Sequence, residues 1–197
     1  MDTLIETVIL ALFIVPLICR YKIKPIFTDW AIYPVLFFAL IYTYLEYCTF
    51  IGDYRLVKYQ LVYKILYLSA LLVLFLKHNF NDSNWSVLLE GFGGAGLVYT
   101  GSKLNDIVMA LNNGKMPVFA RLSLITRYVK PGMFEKIPND FHVIGGVSTK
   151  LWILSDWIDL GYTIMSPGDV LVRACVFIIL FSAVRRMNKR LKNKARV

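Results

Sequence analysis

The chain has 197 residues, of which 57% are hydrophobic and only 18% are charged, and its formal net charge is +9. Soluble domains are typically about 45–50% apolar and about 25% charged, so this composition excludes a soluble fold that buries all of its apolar surface. Seven basic residues between Arg185 and Arg196 directly follow a hydrophobic run, which indicates contact with anionic lipid and argues against a nucleic-acid partner.

Five hydrophobic runs approach the roughly 20 residues that cross a bilayer as a helix. They predict an all-α, polytopic membrane helix bundle of about five spans, formed as a single integral membrane domain over residues 1–197. Thr28 or Asp29 can cap the first turn of the second span. The predicted spans are residues 3–19, 30–51, 59–76, 86–112 and 167–187.

Charged side chains inside the predicted spans are expected to form pairs, because an isolated charge at membrane depth is costly. Lys103 and Asp106 are three residues apart in the fourth span, which favours a pair on one helix face. Glu46 and Glu90 are candidates for contact with Lys64 or Lys103.

The fourth span is rich in glycine in its first half and in polar residues in its second half. Gly94, Gly101, Asn105 and Asn112 fall near one helix face, at spacings of seven, four and seven residues. Small residues on one face allow another helix to approach closely. We therefore expect Asn105 and Asn112 to face the bundle or a cavity, where their amides can bind a ligand.

Residues 113–166 are predicted to form a polar segment outside the membrane. Gly114 can end the fourth span in the left-handed conformation, and Pro117 prevents the helix from continuing. Alternatively, Lys115 and the neighbouring asparagine amides donate to an anionic or carbonyl group of a ligand. Residues 150–160 are apolar but too short to cross the bilayer, so we expect a re-entrant or interfacial segment before the last span.

The last span begins with the sequence S-P-G-D, which supports two interpretations. Ser166 as the N-cap and Asp169 three residues later make a favourable helix start, and Arg173 can pair with Asp169 one turn further on. Alternatively, Asp156 and Asp169 converge, since two neighbouring carboxylates that share a proton can activate water or bind a cation. Asp159 can share a helix face with Asp156.

These patterns define the candidate site. The catalytic candidates are Asp156 and Asp169. The ligand-binding candidates are Asn105, Asn112, Lys115, Asp159 and Arg173. The three cysteines and two histidines show no metal-ligand spacing, so we expect neither a metal nor a cofactor.

The distribution of basic residues predicts how the chain is threaded. The loops on the side of the basic tail hold eleven Lys and Arg residues when the tail, within residues 185–197, is included. The other side holds two in its short turn and six spread over the long segment after the fourth span. This bias places the N-terminus outside and the C-terminus in the cytoplasm, with both polar stretches at the outer face.

Two short motifs carry a resemblance to a known family. The sequence N-N-G-K-M-P-V at residues 112–118 and the sequence S-P-G-D-V-L at the last span resemble an uncharacterised family of small bacterial integral membrane proteins, which carry N-G-x-M-P-V and S-x-G-D. The similarity covers roughly the second half of the chain. It implies a location in the bacterial cell membrane and no particular activity.

A second similarity is to lipoprotein signal peptidases, which are membrane aspartyl enzymes. The sequence G-G-A at residues 93–95, Asn105, Asp156 in S-D-W-I-D and Asp169 in P-G-D-V follow the order of that family's motifs. The family's D-R pair after the asparagine is absent, and the gap from Asp156 to Asp169 is shorter than usual. The resemblance implies that Asp156 and Asp169 are the catalytic pair of a hydrolase.

Three functions are open at this point. The first is the binding or translocation of a small or lipid-linked ligand at the extracytoplasmic face. The second is a membrane-embedded aspartyl hydrolase, and the third is a non-catalytic membrane partner subunit. The lipid bilayer is a partner in each case, and a ligand or a membrane protein is the further partner according to the function.

Overall fold

The structure is a computed structural model that describes residues 5–79, 85–137 and 141–194. The first hydrophobic run forms α1 (Ile5–Ile9), a π-helical turn (Leu10–Ile14) and α2 (Val15–Ile18), and α3 (Lys24–Thr28) follows. At a rise of about 1.5 Å per residue this run extends about 21 Å, which is less than the roughly 30 Å of the hydrocarbon core. The first helical run is therefore short for a membrane span.

Three long helices come next. Asp29 accepts a hydrogen bond from the backbone N–H of Ala31 at 2.9 Å, which confirms that an Asp29 side chain caps the second hydrophobic segment. The helices are α4 (Ile32–Ile51), α5 (Gln60–Asn79) and α6 (Trp85–Leu111), with a short 3₁₀ turn (Val57–Tyr59) between the first two.

Residues 113–166 form short strands, short helices and turns, and are called the cap below. β1 and β2 pair in parallel with Met116 opposite His142, whereas β3 and β4 are antiparallel. These strands were not predicted, because two or three residues carry too little periodicity to indicate a strand. The elements are β1 (Met116–Val118), α7 (Leu122–Ile125), α8 (Met133–Lys136), β2 (His142–Ile144), a 3₁₀ turn (Trp152–Leu154), β3 (Ile158–Asp159) and β4 (Ile164–Met165).

The last helix, α9 (Pro167–Lys194), continues past the predicted end at residue 187, because Lys and Arg favour the helical conformation. In the described part of the chain, three helices are long and apolar enough to cross a membrane: Ile32–Ile51, Val62–Asn79 and Pro167–Asn193. α6 has sufficient length at 27 residues, but its glycines and polar residues make it less apolar. The prediction of an all-α membrane helix bundle is confirmed.

The chain divides into two compact units. The cap unit contains the cap together with the helix ends that adjoin it, in Tyr44–Gln60 and Leu97–Val172. The helical unit contains the described residues of Leu4–Thr43, Leu61–Gly96 and Arg173–Val197.

The core of the helical unit is built from aliphatic side chains of α1, α4, α5 and α9, together with the residues that connect them. Their burial removes apolar surface from the solvent on every helix of the group. Residues that are at most 2% exposed include Val8, Leu12, Ile32, Val35, Leu71, Leu74, Leu180 and Val184. The cap unit has a smaller core of its own, formed by Val118, Tyr128, Val129 and Ile164.

The glycines of α6 allow α9 to approach closely, as predicted. In the helical unit, a Cβ at Gly94 would lie 3.0 Å from Sγ of Cys175. In the cap unit, a Cβ at Gly101 would overlap the carbonyl oxygen of Gly168, and one at Gly168 would overlap Oδ1 of Asn105. Small residues on both helices are therefore required at this contact.

Candidate functional site

Ser166 and Asp169 form a reciprocal cap at the start of α9. The backbone N–H of Ser166 donates to Oδ2 of Asp169 at 2.9 Å, and the backbone N–H of Asp169 donates to Oγ of Ser166 at 3.0 Å. Each side chain thus satisfies a backbone donor that the helix itself cannot pair. The predicted helix start is confirmed by these bonds.

Asn105 of α6 binds both residues of this helix N-cap. Its Nδ2 donates to Oδ1 of Asp169 at 2.9 Å, and its Oδ1 accepts from Oγ of Ser166 at 2.8 Å. Both ends of the amide are therefore used inside the cap unit, and both carboxylate oxygens of Asp169 accept a hydrogen bond. The predicted face of α6 is turned toward α9, and the amide of Asn105 holds the two helices in register.

Asn112, at the end of α6, also uses both ends of its amide. Its Oδ1 accepts from the backbone N–H of Lys150 and its Nδ2 donates to the carbonyl of the same residue, both at 3.0 Å. Gly114, with φ of +75°, ends α6 as predicted, and its N–H donates to the carbonyl of Met109 at 2.8 Å. The amide of Asn112 thus pairs with both backbone groups of residue 150, as a neighbouring strand would, and holds that residue beside the end of α6.

Asp159 organises the loop that leads into α7. Its carboxylate accepts hydrogen bonds from the backbone N–H groups of Arg121, Ser123 and Gly161 at 2.6, 2.9 and 2.8 Å, and from the hydroxyl of Ser123. Burial raises the pKa of Asp159, but the hydrogen bonds from Ser123, Arg121 and Gly161 outweigh it and hold the pKa below its usual value. The expected helix face shared with Asp156 is wrong, because this stretch forms a 3₁₀ turn and a strand.

Asp156 is buried at 5% exposure and forms a parallel bridge to Val118 of β1. Its N–H donates to the carbonyl of Pro117 at 3.1 Å, and its carbonyl accepts from the N–H of Phe119 at 2.7 Å. Nε2 of His142 lies 3.7 Å from its Oδ2, and the ring of His142 packs against Phe141 in a tilted arrangement with centroids 4.3 Å apart. The cap therefore brings a histidine beside one of the two predicted catalytic aspartates.

Arg173 lies on the second turn of α9, in the helical unit. Its side chain is 11% exposed, and its Nη1 is 3.6 Å from Oε2 of Glu6 on α1. Its Nε and Nη2 are buried without a hydrogen-bond partner among residues 5–79, 85–137 and 141–194. The predicted pair of Arg173 with Asp169 is wrong, because Asp169 turns back to cap its own helix.

One of the ion pairs predicted for α6 is present, and the other has a different partner. Lys103 donates to Asp106 at 3.1 Å, as their spacing indicated. Glu90 is paired with Arg186 of α9 at 2.6 Å and with neither of the lysines that were expected. The sequence assigned the basic run from Arg185 to Arg196 to contact with anionic lipid, so it gave Arg186 no internal partner.

The family of unknown function DUF5317 matches residues 22–181. The chain belongs to this family. The match includes every site residue that the sequence predicted, whereas Glu6 precedes it. No curated protein and no solved structure matches the chain. The DUF5317 match agrees with the resemblance to an uncharacterised family.

Two contacts of this DUF5317 protein were not foreseen from its sequence. His142 shows no metal-ligand spacing in the sequence, and it meets Asp156 because β1 and β2 pair in parallel across the cap. Glu6 was counted as part of the first span and given no partner, although a carboxylate in an apolar run is itself a signal. Lys115, a predicted ligand contact, is exposed at the start of β1.

Proposed function

We propose that the protein binds an anionic group of a small or lipid-linked ligand near the outer end of α9, with Arg173 as the binding residue. The setting is the bacterial cell membrane, with the N-terminus outside and the C-terminus in the cytoplasm. The observation that carries the proposal is the pair of buried nitrogens of Arg173, Nε and Nη2, that lack an acceptor in the described part of the chain.

Buried donors without a partner destabilise a protein by about 1–3 kcal/mol each, and more when they are charged. A guanidinium group presents its donors in a planar fork that fits the oxygens of a phosphate or a carboxylate. An anionic ligand that accepts from Nε and Nη2 of Arg173 therefore recovers the free energy that these donors lose on folding. Charged residues inside membrane spans commonly mark ligand or ion pathways.

Glu6 is the competitor of the ligand in this account. Its carboxylate lies 3.6 Å from Nη1 of Arg173, which is longer than a direct hydrogen bond. Because Nε and Nη2 are buried, a local rearrangement must admit the anion, and in this proposal α1, which carries Glu6, is the element that moves. Neutralising Glu6 should therefore strengthen binding, and neutralising Arg173 should remove it.

The remaining sequence candidates belong to the cap unit. Asn105, Asn112 and Asp159 use their hydrogen-bonding groups within that unit, in the cap and at the start of α9. Lys115 stays a separate predicted ligand contact of the cap unit. The hydrolase hypothesis requires Asp156 and Asp169 to share a proton, but the two bonds that the Asp169 carboxylate accepts support a capping role. Binding is therefore the function that the contacts favour.

The test uses the purified protein in nanodiscs of zwitterionic lipid. Farnesyl phosphate and oleate serve as anionic probes, with farnesol and oleyl alcohol as their neutral counterparts, and the shift in Tm is measured. We expect the anionic probes to raise Tm and the alcohols to leave it unchanged. At a probe concentration of 100 Kd, binding should add about 2.7 kcal/mol to the free energy of unfolding.

Arg173→Gln should abolish this shift, and Glu6→Gln should move its midpoint to lower probe concentration. Arg185→Gln is the matched control, because Arg185 is an exposed cation on the same helix. Arg173→Lys keeps the charge without the planar fork and covers the case in which the glutamine variant fails to fold. Equal shifts in wild type, Arg173→Lys and Arg173→Gln would overturn the proposal.

A further inference from the structure

The positive charge of the chain belongs almost entirely to one of its two units. Within residues 44–60 and 97–172 of the cap unit the sequence has nine Lys and Arg and eight Asp and Glu, whereas within residues 4–43, 61–96 and 173–197 of the helical unit it has thirteen and four. The formal charge of +9 therefore falls on the helical unit. The excess of basic residues is thus concentrated in the helical unit and is not spread evenly along the chain.

The fold then gathers this charge at one end of the helical unit. The side chain of Asn188 on α9 accepts from the N–H of Lys22 at 2.8 Å and donates to the carbonyl of Lys22 at 3.1 Å. These two bonds fasten the loop between α2 and α3 to the basic end of α9. Arg190 donates to the carbonyl of His78 at 3.3 Å, which adds the end of α5.

The carboxylates described near this end are already neutralised. Asp29 is 2.5 Å from Nζ of Lys77 and 2.9 Å from Nε2 of His78. Burial raises the pKa of Asp29, but the hydrogen bonds from Lys77 and Ala31 and the neighbouring positive charges outweigh it and lower the pKa. Glu90 is paired with Arg186. The exposed cations of the fastened loop and of the end of α9 therefore have no anionic partner among the described residues.

These exposed cations are called the basic rim. An aromatic belt accompanies them: Trp30 and Tyr33 are 61% and 54% exposed, and Nζ of Lys77 lies 4.5 Å from the centroid of the Trp30 ring. Tryptophan and tyrosine are typical of the level of the lipid headgroups. The basic rim consists of Arg20, Lys22, Lys24, Lys189 and Lys192.

We infer that the basic rim is a binding surface for the phosphate groups of anionic phospholipids. The aromatic belt places the rim at headgroup depth, and the excess of positive charge is complementary to an anionic leaflet. Each Lys or Arg near such a surface contributes about five-fold to the binding of anionic lipid. The bonds of Asn188 make the rim a single surface from two distant parts of the chain, and that arrangement distinguishes it from a solvated basic tail.

The experiment reconstitutes the full chain into nanodiscs that contain phosphatidylcholine and phosphatidylglycerol in equal amounts. Native mass spectrometry then gives the ratio of the two lipids that remain bound after the nanodisc is removed. Wild type should retain phosphatidylglycerol in several-fold excess. Lys22→Gln/Lys24→Gln and Lys189→Gln/Lys192→Gln should each reduce that excess by a factor of about five or more, and Asn188→Ala should reduce it without any change of charge.

Lys136→Gln/Lys150→Gln is the matched control, since both lysines are exposed cations of the cap unit, which carries almost no net charge. It should leave the excess of phosphatidylglycerol unchanged. An equal loss in this control, or retention of the two lipids in the ratio supplied, would overturn the inference. Inorganic phosphate that competes away the bound phosphatidylglycerol at millimolar concentration would also overturn it, by identifying a site for the free anion.

Discussion

Asn105 and Asp169 are joined by a hydrogen bond of 2.9 Å between residues that are 64 positions apart. Asp169 uses its other carboxylate oxygen to cap its own helix, and the same amide of Asn105 accepts from Ser166. The start of α9 is thus fixed on α6 by side chains that also complete its first turn.

Substitution of Asp169 separates capping from chemistry. Asp169→Ala removes both the cap and the bond to Asn105 and should lower stability by roughly 1–3 kcal/mol. Asp169→Asn keeps an acceptor oxygen and should cost less than about 1 kcal/mol. Thermal unfolding in detergent measures both. A variant Asp169→Asn that melts like wild type but has lost every activity of the protein would favour the hydrolase instead.

The contact between α6 and α9 makes a second prediction. Gly101→Ala adds a methyl group that overlaps the carbonyl oxygen of Gly168, and this overpacking should cost about 1–3 kcal/mol. Gly96→Ala is the control on the same helix, because nothing lies within 4 Å of its Cβ position. The control should be neutral or stabilising by up to about 1 kcal/mol. Equal melting temperatures for the two variants would show that the helices do not meet at Gly101.

The lowered pKa of Asp159 predicts that the stability of the protein depends on pH. Its pKa in the folded protein is below its usual value, so its contribution is fully present above the unfolded pKa of about 3.9 and is lost as the pH falls through the folded pKa. Melting temperatures between pH 3 and pH 7 should therefore fall most steeply below about pH 4. Asp159→Asn should lower Tm at pH 7 and flatten this acid limb.

Asp106→Asn is the control for the pH experiment. Its carboxylate is exposed and pairs with Lys103 on its own helix, and exposed pairs of this kind contribute little. Its Tm at pH 7 should stay close to that of wild type. If Asp106→Asn lowers Tm as much as Asp159→Asn does, the loop bonds of Asp159 do not stabilise the cap.

The long helices and their caps were predictable, because a hydrophobic run of bilayer length and a capping sequence are local signals. The S-P-G-D sequence predicted the bonds of Ser166 and Asp169, and the glycine spacing predicted the face of α6 that meets α9. The strands of the cap were not predictable, since Met116 and His142 pair although they are 26 positions apart along the chain. No local pattern encodes such a pairing.

The residues of the candidate site stay a prediction from the sequence, and some of their contacts differ from those expected. Arg173 was selected because charge is costly in an apolar run, and that reasoning depends only on the sequence. Its partner was assigned by the spacing of four residues within one helix, which gave Asp169, whereas the fold supplies Glu6 from α1. Partners from distant helices depend on tertiary packing, and one sequence carries no direct signal of it.

Single-cysteine labelling tests the proposed threading of the chain. After Cys19, Cys48 and Cys175 are replaced by serine or alanine, one cysteine is placed at Ser148 in the exposed part of the cap, or at Lys192 on the basic rim. A membrane-impermeant maleimide added to intact cells should label position 148 and not position 192. The reverse pattern would place the cap in the cytoplasm.

The most direct test of the central claim is a structure of the protein in nanodiscs with farnesyl phosphate, determined by cryo-electron microscopy at a resolution that shows side chains. The account predicts a phosphate oxygen within about 3 Å of Nε or Nη2 of Arg173, with the carboxylate of Glu6 displaced from Nη1. Density that shows both nitrogens bonded to groups of the protein, with the phosphate elsewhere, would contradict it.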